Sequence, residues 1–326
     1  MITLITGVAG FIGAHMARAL LREGHSVIGF DSLNDYYSPR LKHDRLDALC
    51  CEGDFSFHEL DVSSIATMKS ALNGRCPSKI LHLAAQAGVR YSLQNPAAYT
   101  EANLAGHFAM LELARDLEIE NMVYASSSSV YGGNTKIPFT ETDQTDDPVS
   151  FYGATKKSNE LMSQSYARLY GLSLTGLRFF TVYGPWGRPD MAYWIFAERI
   201  LGGQPIKVFN HGKMSRDFTY VDDIVAGIKA ALERPASSLG LNVPHRIYNL
   251  GNDRPEPLMN LIRLTEASVK IDAVQEYEDM QRGDLERTWA NIDRARDELD
   301  YAPKVSLRDG ISAFAAWFLP RWQRYR

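Results

Sequence analysis

The feature that most constrains this chain is its opening: an apolar β-type run, Ile2–Thr6, leads directly into Gly7-Val8-Ala9-Gly10-Phe11-Ile12-Gly13. An amphipathic helix follows to about Glu23 and meets Gly24 as its cap. A strand, a glycine turn and a helix in immediate succession form a site for a pyrophosphate. The backbone turns sharply, no Cβ stands in the way of the anion, and the helix N-terminal amides face it. Gly7, Gly10, Phe11, Ile12 and Gly13 are the candidate cofactor-binding residues of this turn. The spacing is G-x-x-G-x-x-G, so a tight structural turn is the alternative reading of the glycines taken alone.

The second apolar run, Ser26–Phe30, ends at Asp31, within the roughly 20-residue interval at which an acid meets the adenosine ribose. A carboxylate accepts from both ribose hydroxyls and repels a 2′-phosphate, so Asp31 points to NAD. Arg40 and Lys42 lie near enough in sequence to keep NADP open, and a turn cap is the alternative role for Asp31 itself. The remainder of the chain offers no general affinity for anions: 35 basic against 39 acidic side chains give a net charge of -4. That excludes a global positive field for nucleic acid or an anionic membrane, so a phosphate partner must be met locally.

Further β-type runs at Phe55–Leu60, Ile80–Leu83, Met122–Ala125 and Leu172–Leu177 alternate with helical patterns. Parallel strands need crossover connections, and those are usually helices, so the expectation is an α/β, Rossmann-type doubly wound parallel sheet. Beyond residue 179 glycines and prolines break the chain into short pieces. The expected division is a nucleotide-binding domain over 1–178 and a smaller substrate-binding region over 179–326. Asp217–Leu232 reads as a strand edge followed by a helix, so about 217–250 partly returns to the first domain. Three cysteines, Cys50, Cys51 and Cys76, form neither a disulfide scaffold nor a zinc-ligand spacing, which suits a reducing cytoplasm and no metal. The start lacks a basic region before its apolar stretch, and no run approaches the roughly 18 apolar residues that span a bilayer, arguing against secretion and membrane insertion.

Tyr152-Gly153-Ala154-Thr155-Lys156 places a phenol and an ammonium one helical turn apart on one face. With 16 tyrosines in the chain the spacing alone says little. Its weight comes from Ala125-Ser126-Ser127-Ser128-Ser129, which sets four hydroxyls at the carboxyl end of a central strand, where open α/β sheets bind ligands. Such a set suits removal of a proton from an alcohol whose carbon gives up a hydride. A phenol with a reference pKa of about 10 needs lowering by about 3 units, or about 4 kcal/mol, to act as a base near neutrality. One ammonium about 4 Å away at an effective dielectric of about 20 supplies about that much. The assignment is Tyr152 as acid/base, Lys156 as the group that lowers its pKa and holds the nicotinamide ribose, and Ser127 as the hydroxyl that orients the alcohol.

Taken in order, the glycine pattern, the serine strand and Tyr152-x-x-x-Lys156 resemble the extended short-chain dehydrogenase/reductase family. Within it the chain is similar to the nucleotide-sugar epimerases, and most of all to UDP-glucuronate 4-epimerases. The segments that carry this are Asn34–Pro39, Leu83–Ser92, Arg178–Met191 and Ser215–Tyr220. The resemblance implies a tightly held NAD that is reduced and reoxidised within each turnover. Tyr152 takes the proton of the sugar 4-hydroxyl, the 4-keto sugar swings about its pyrophosphate link, and hydride returns to the other face. It also implies that Asp61 and Val62 flank the adenine and that Leu83, Ala84 and Ala85 line the cofactor backbone. Arg188 and Arg216 match positions that hold the UDP pyrophosphate, and Asp284 matches a uridine-ribose ligand. Solvated surface charge is the alternative for the two arginines. The uronate members usually carry proline where Arg282 stands. Helices around Asn103–Leu117 and Tyr152–Tyr170 resemble the family's dimer bundle and point to a homodimer, although burial against the chain's own sheet accounts for their apolar residues as well.

Relatives that dehydrate sugars carry an Asp-Glu pair after the first hydroxyl of the serine strand, and those that decarboxylate uronates carry a Glu; here both positions are serine, Ser128 and Ser129. Galactose epimerases usually present Asn at Thr181. A hydroxyl there, beside the serine cluster, suits a carboxylate that needs several donors. The expected substrate is therefore UDP-glucuronate, its 4-keto form being a β-keto acid whose carboxylate Ser127, Ser128 and Thr181 hold out of alignment for loss of carbon dioxide. The alternatives are a UDP-glucuronate decarboxylase, a 4-epimerase of UDP-galactose or UDP-N-acetylhexosamine, and a non-catalytic dinucleotide sensor.

Overall fold

The computed structural model describes residues 1–281 and 283–325; Arg282 lies outside the described residues. In chain order the strands are β1 (Ile2–Thr6), β2 (Ser26–Asp31), β3 (Phe55–Glu59), β4 (Lys79–His82), β5 (Asn121–Ser127), β6 (Leu174–Phe179), β7 (Thr181–Tyr183), β8 (Ile206–Phe209), β9 (Ser215–Tyr220), β10 (His245–Leu250), β11 (Pro255–Pro257) and β12 (Gln275–Glu278). Seven of them make one sheet in the order β10-β6-β5-β4-β1-β2-β3. Every pairing in it is parallel. The expected doubly wound sheet is present. Its central strands are buried on both faces, with Leu4, Ile5, Ile80, Leu81, Val123 and Leu177 fully inaccessible, as helices on both sides require, while the edge strand β3 is only partly covered.

The order reverses between β1 and β4, and a crevice opens there at the carboxyl ends of the strands. The first helix, Phe11–Arg22, starts at Gly10 on one side of this switch point. The long helix Phe151–Tyr170 starts on the other, its N-cap Ser150 accepting from the Gly153 amide at 3.0 Å.

The later half is built from a three-stranded sheet, β11-β9-β7, and a two-stranded parallel pair, β12-β8. The strand beginning near Asp217 joins this small sheet rather than the large one. What returns to the large sheet is the helix Val221–Glu233, packed against the first helix, and then β10, which adds a seventh strand beside β6. Asp217 ties these pieces together: its buried carboxylate accepts from the backbone N–H of Asn252 (2.6 Å), Asp253 (3.1 Å) and Ala290 (3.0 Å). A third core of Tyr193, Trp194, Phe196, Phe314 and Phe318 closes this half. Among the described residues, no helix is long and apolar enough to cross a membrane.

Candidate active site

The glycine turn forms the floor of a cleft of about 270 Å³. Gly7 has φ +69° and is met at close range by the β4 end, so a Cβ there would lie 2.8 Å from the Ala84 nitrogen. At Gly13 a Cβ would lie 2.1 Å from the Gly7 carbonyl oxygen, which only glycine permits. These contacts press helix, turn and strand together and leave bare backbone facing the cleft.

Gly7, Gly10, Phe11, Ile12, Gly13, Asp31, Asp61, Val62, Leu83, Ala84, Ala85, Ser127, Tyr152 and Lys156 all line this cleft. Asp31 also serves the turn, accepting from the Ala9 amide at 3.1 Å and the Leu33 amide at 2.9 Å. Burial raises its carboxyl above the ordinary value against the pull of those amides and of Lys42 and Arg45. Lys42 points into the same cleft, but Asn34 holds its ammonium through the backbone oxygen at 2.6 Å and Oδ1 at 2.7 Å. Arg40 is exposed outside it. The donor set therefore fits a dinucleotide whose ribose hydroxyls meet Asp31, and among the described residues lining the cleft Lys42, the cation nearest Asp31 in sequence, is already engaged by Asn34.

Tyr152 and Lys156 share one face of their helix, as the spacing requires, and Gly153 brings that helix against the serine turn: a Cβ there would lie 2.6 Å from the Ser129 carbonyl oxygen. Ser127, at the end of β5, lies near enough to the Tyr152 phenol to lower its pKa and accepts from the Ser129 amide at 3.1 Å. Burial pushes the phenol above its ordinary value; the Ser127 hydrogen bond and the charge of Arg188 oppose this, and Asp190 adds to it. Lys156 Nζ donates to the Ala125 carbonyl at 3.0 Å, and burial brings its pKa down to about 8. Arg188 is thus a side-chain cation that acts on the phenol besides Lys156, the one that the helical spacing puts forward. The lysine is turned to the end of β5, and no linear pattern places residue 188 beside residue 152.

A second cavity of about 580 Å³ adjoins the first and is lined by Ser128, Thr181, Arg188, Arg216 and Asp284. Tyr36, Arg188 and Met191 line both and mark their junction. Arg188 is partly exposed and ion-paired: its Nε and Nη2 bind Asp190 at 3.0 and 2.5 Å, and Tyr36 donates to the same carboxylate at 3.0 Å. Arg216 Nη1 donates to the Ser215 and Glu286 carbonyl oxygens at 2.9 and 3.2 Å. Asp284 pairs with Arg90 at 3.1 Å, and Arg90 lies over the Phe209 ring at 4.9 Å. Tyr36, Arg90 and Asp190 sit inside segments that carried the resemblance but had no role assigned. The signal for Asp190 was its place two residues after an arginine; for Arg90 there was none, because its partner is distant in sequence. Among the described residues, no group of three or more His, Cys, Asp or Glu side chains is arranged to hold a metal.

Residues 3–251 match the NAD dependent epimerase/dehydratase family. UDP-glucuronate 4-epimerase 4 of Arabidopsis thaliana is 46% identical, over 97% of this chain and 75% of that protein. The crystal structure of a UDP-glucuronic acid 4-epimerase from Bacillus cereus, in complex with UDP-glucuronic acid and NAD, superposes with a TM-score of 0.90 at 31% identity, covering 98% of this chain and 99% of that one. A UDP-glucose 4-epimerase from Thermotoga maritima, with UDP-glucose, superposes with a TM-score of 0.88 at 30% identity, covering 99% of this chain and all of that one (100%). A glycine-floored cleft, a phenol and amine on one helix face at the switch point of a parallel sheet, and these likenesses agree: the chain belongs to the NAD dependent epimerase/dehydratase family.

Proposed function

We propose that this protein is an NAD-dependent isomerase that inverts C4 of a UDP-sugar, with UDP-glucuronate converted to UDP-galacturonate through a 4-keto intermediate. The observation that carries the reading is the junction: Tyr152 and Ser127 stand in the first cleft beside Arg188, which opens onto the second. NAD is held by the glycine turn, Asp31, the flanks at Asp61 and Val62, the Leu83–Ala85 wall and Lys156. Bound NAD supplies a reversible hydride acceptor and, while oxidised, a positive charge.

The chain's own residues handle the proton and the sugar. Tyr152 removes the 4-hydroxyl proton and returns it. Its buried phenol needs the surrounding positive charge to act near neutrality, and Arg188 contributes part of that charge. Ser127 orients the alcohol. Arg188 and Arg216 hold the pyrophosphate, Arginine's fork suiting that task, and Asp284 holds the uridine ribose. Residues 1–178 form the NAD-binding unit and 179–326 the main UDP-sugar-binding unit, with about 217–250 partly returning to the first and with Tyr152, Ser127 and Ser128 of the first reaching the sugar.

The hydroxyls of Ser127, Ser128 and Thr181 hold the uronate carboxylate away from the alignment that breaks its bond to C5. Chromatography of products from UDP-glucuronate tests the whole reading. The wild type yields UDP-galacturonate without net NADH, and Ser128→Ala or Thr181→Ala raises the share of UDP-4-keto-pentose. No epimer from the wild type defeats the substrate assignment, and release of NADH favours the decarboxylase. The exposed thiols of Cys50, Cys51 and Cys76, all free, suit the cytoplasm. A homodimer is supported by Phe108 (47% exposed) on one helix and Leu161 (59%) and Leu169 (67%) on the other, apolar side chains that the chain's own sheet leaves uncovered.

A further inference from the structure

Three consecutive residues at the end of β5 are set against one face of the helix Phe151–Tyr170. The Ala125 carbonyl accepts from Lys156, and the Ser127 hydroxyl stands near enough to the Tyr152 phenol to hold it down, both residues lining the same cleft. Between them Ser126 donates to Glu160 Oε1 at 2.7 Å. Tyr152, Lys156 and Glu160 follow one another at single-turn intervals, so the outer two links belong to the proposed reaction and the middle one has no part in it yet.

That middle link is anchored from the next strand. Arg178 is the cross-strand partner of Ser126, and its Nε and Nη2 each bind Glu160 at 2.8 Å. Both side chains are almost fully inaccessible, at 3% and 4% exposure. Arg178 also lies over the Tyr131 ring at 4.8 Å, and Lys157 is the nearest further cation, 3.8 Å from Glu160. Burial pushes the Glu160 carboxyl up, but its bonds to Arg178 more than offset this, so the pair stays ionised. A buried pair of this kind gains little stability over an apolar pair of similar volume. Arg178 Nη1 is moreover a buried donor without a hydrogen-bond partner. What the pair does supply is a fixed distance: one carboxylate oxygen joins β5 and β6 to the helix between the Lys156 and Ser127 links.

We propose that Glu160 and Arg178 are positioning residues, whose buried ion pair, acting through Ser126, fixes the spacing of Ser127 from Tyr152 and Lys156. The inference rests on the reaction proposed above. The test compares wild type, Ser126→Ala, Glu160→Gln and the charge-retaining Glu160→Asp, each loaded with NAD, on UDP-glucuronate and on the same sugar deuterated at C4. Ser126→Ala and Glu160→Gln are expected to lower kcat at least about tenfold with KM within about twofold, and to raise the deuterium isotope effect because hydride transfer becomes limiting. Glu160→Asp recovers part of the loss. A partly unfolded population would lower kcat and bound NAD together and leave the isotope effect alone.

A second readout is independent of turnover: emission polarisation of bound NADH, which falls in Ser126→Ala and Glu160→Gln if the cofactor side of the cleft loosens. Unchanged isotope effect and unchanged polarisation overturn the inference while wild-type epimerisation leaves the reaction standing. Should the wild type epimerise nothing, the reaction fails, and polarisation alone decides the positioning role. If Glu160→Gln does not fold, Ser126→Ala, which leaves the ion pair intact, carries both measurements.

Discussion

Replacing one oxygen tests the central assignment. Tyr152→Phe keeps the ring, and with it the edge contact to Tyr99 at 6.0 Å, but removes the proton carrier, so kcat should fall by about 10² to 10⁴ while bound NAD and KM change little. A loss confined to KM would show that the phenol only binds. At this scale the sequence was informative wherever chemistry is local. The turn glycines, Asp31 and the Tyr152/Lys156 pair lie where the pattern put them, because each depends on a few neighbouring residues. It was uninformative about who faces whom. The Arg188–Asp190–Tyr36 cluster spans 154 positions between Tyr36 and Asp190, and the further cation that acts on the phenol, Arg188, could not be found from spacing.

The strand, turn and helix at the start make a sharper prediction as one element than as three glycines. In Gly13→Ala the added methyl meets the Gly7 carbonyl oxygen at 2.1 Å, so the first helix must move off its strand and the cleft floor with it. The NAD that co-purifies should drop at least about tenfold, measured by absorbance of nucleotide released from the denatured protein, while far-ultraviolet circular dichroism changes little. The six strands read as β-type runs all appear: five because a strand buried on both faces is apolar nearly throughout, and Phe55–Glu59 at the sheet edge because its aromatics alternate with polar residues. Of those in the later half only the strand edge at Asp217 declared itself. Pro255–Pro257 and Gln275–Glu278 are short and polar, and they exist because β9 and β8 lie alongside them. Tertiary pairing decided them, not local propensity.

For the molecule as a whole, several histidines are locked away from protons. Burial lowers His15 to about 4, His82 to about 3 and His245 to about 4, and His107 falls well below its ordinary value for the same reason. Each takes up a proton near pH 6.5 once unfolded, so the unfolded chain binds more protons than the folded one below that pH. The stability they confer is complete above about pH 6.5 and is lost as the pH falls toward 4, by up to about 2 kcal/mol per histidine at about pH 5. Asp217, pushed up to about 6 by burial, and Asp31 and Asp222, raised by the same cause, act in the opposite sense, favouring the folded state at low pH, but against them stand the four histidines together with the lowered carboxyls of Glu160, Asp190 and Asp143. The midpoint of urea unfolding should therefore be clearly lower at about pH 5 than at about pH 8; an equal or higher midpoint would mean that these rings carry protons in the native state.

Arg45 is fully buried and spends its guanidinium on three backbone oxygens: Ala9 in the glycine turn at 2.9 Å, Trp186 at 2.6 Å and Gly187 at 2.8 Å. It rivets the floor of one cleft to the segment that carries Arg188 at the mouth of the other. Loading the dinucleotide and grasping the sugar nucleotide are therefore acts of a single rigid frame, and a disturbance in either compartment is felt as misalignment in its neighbour.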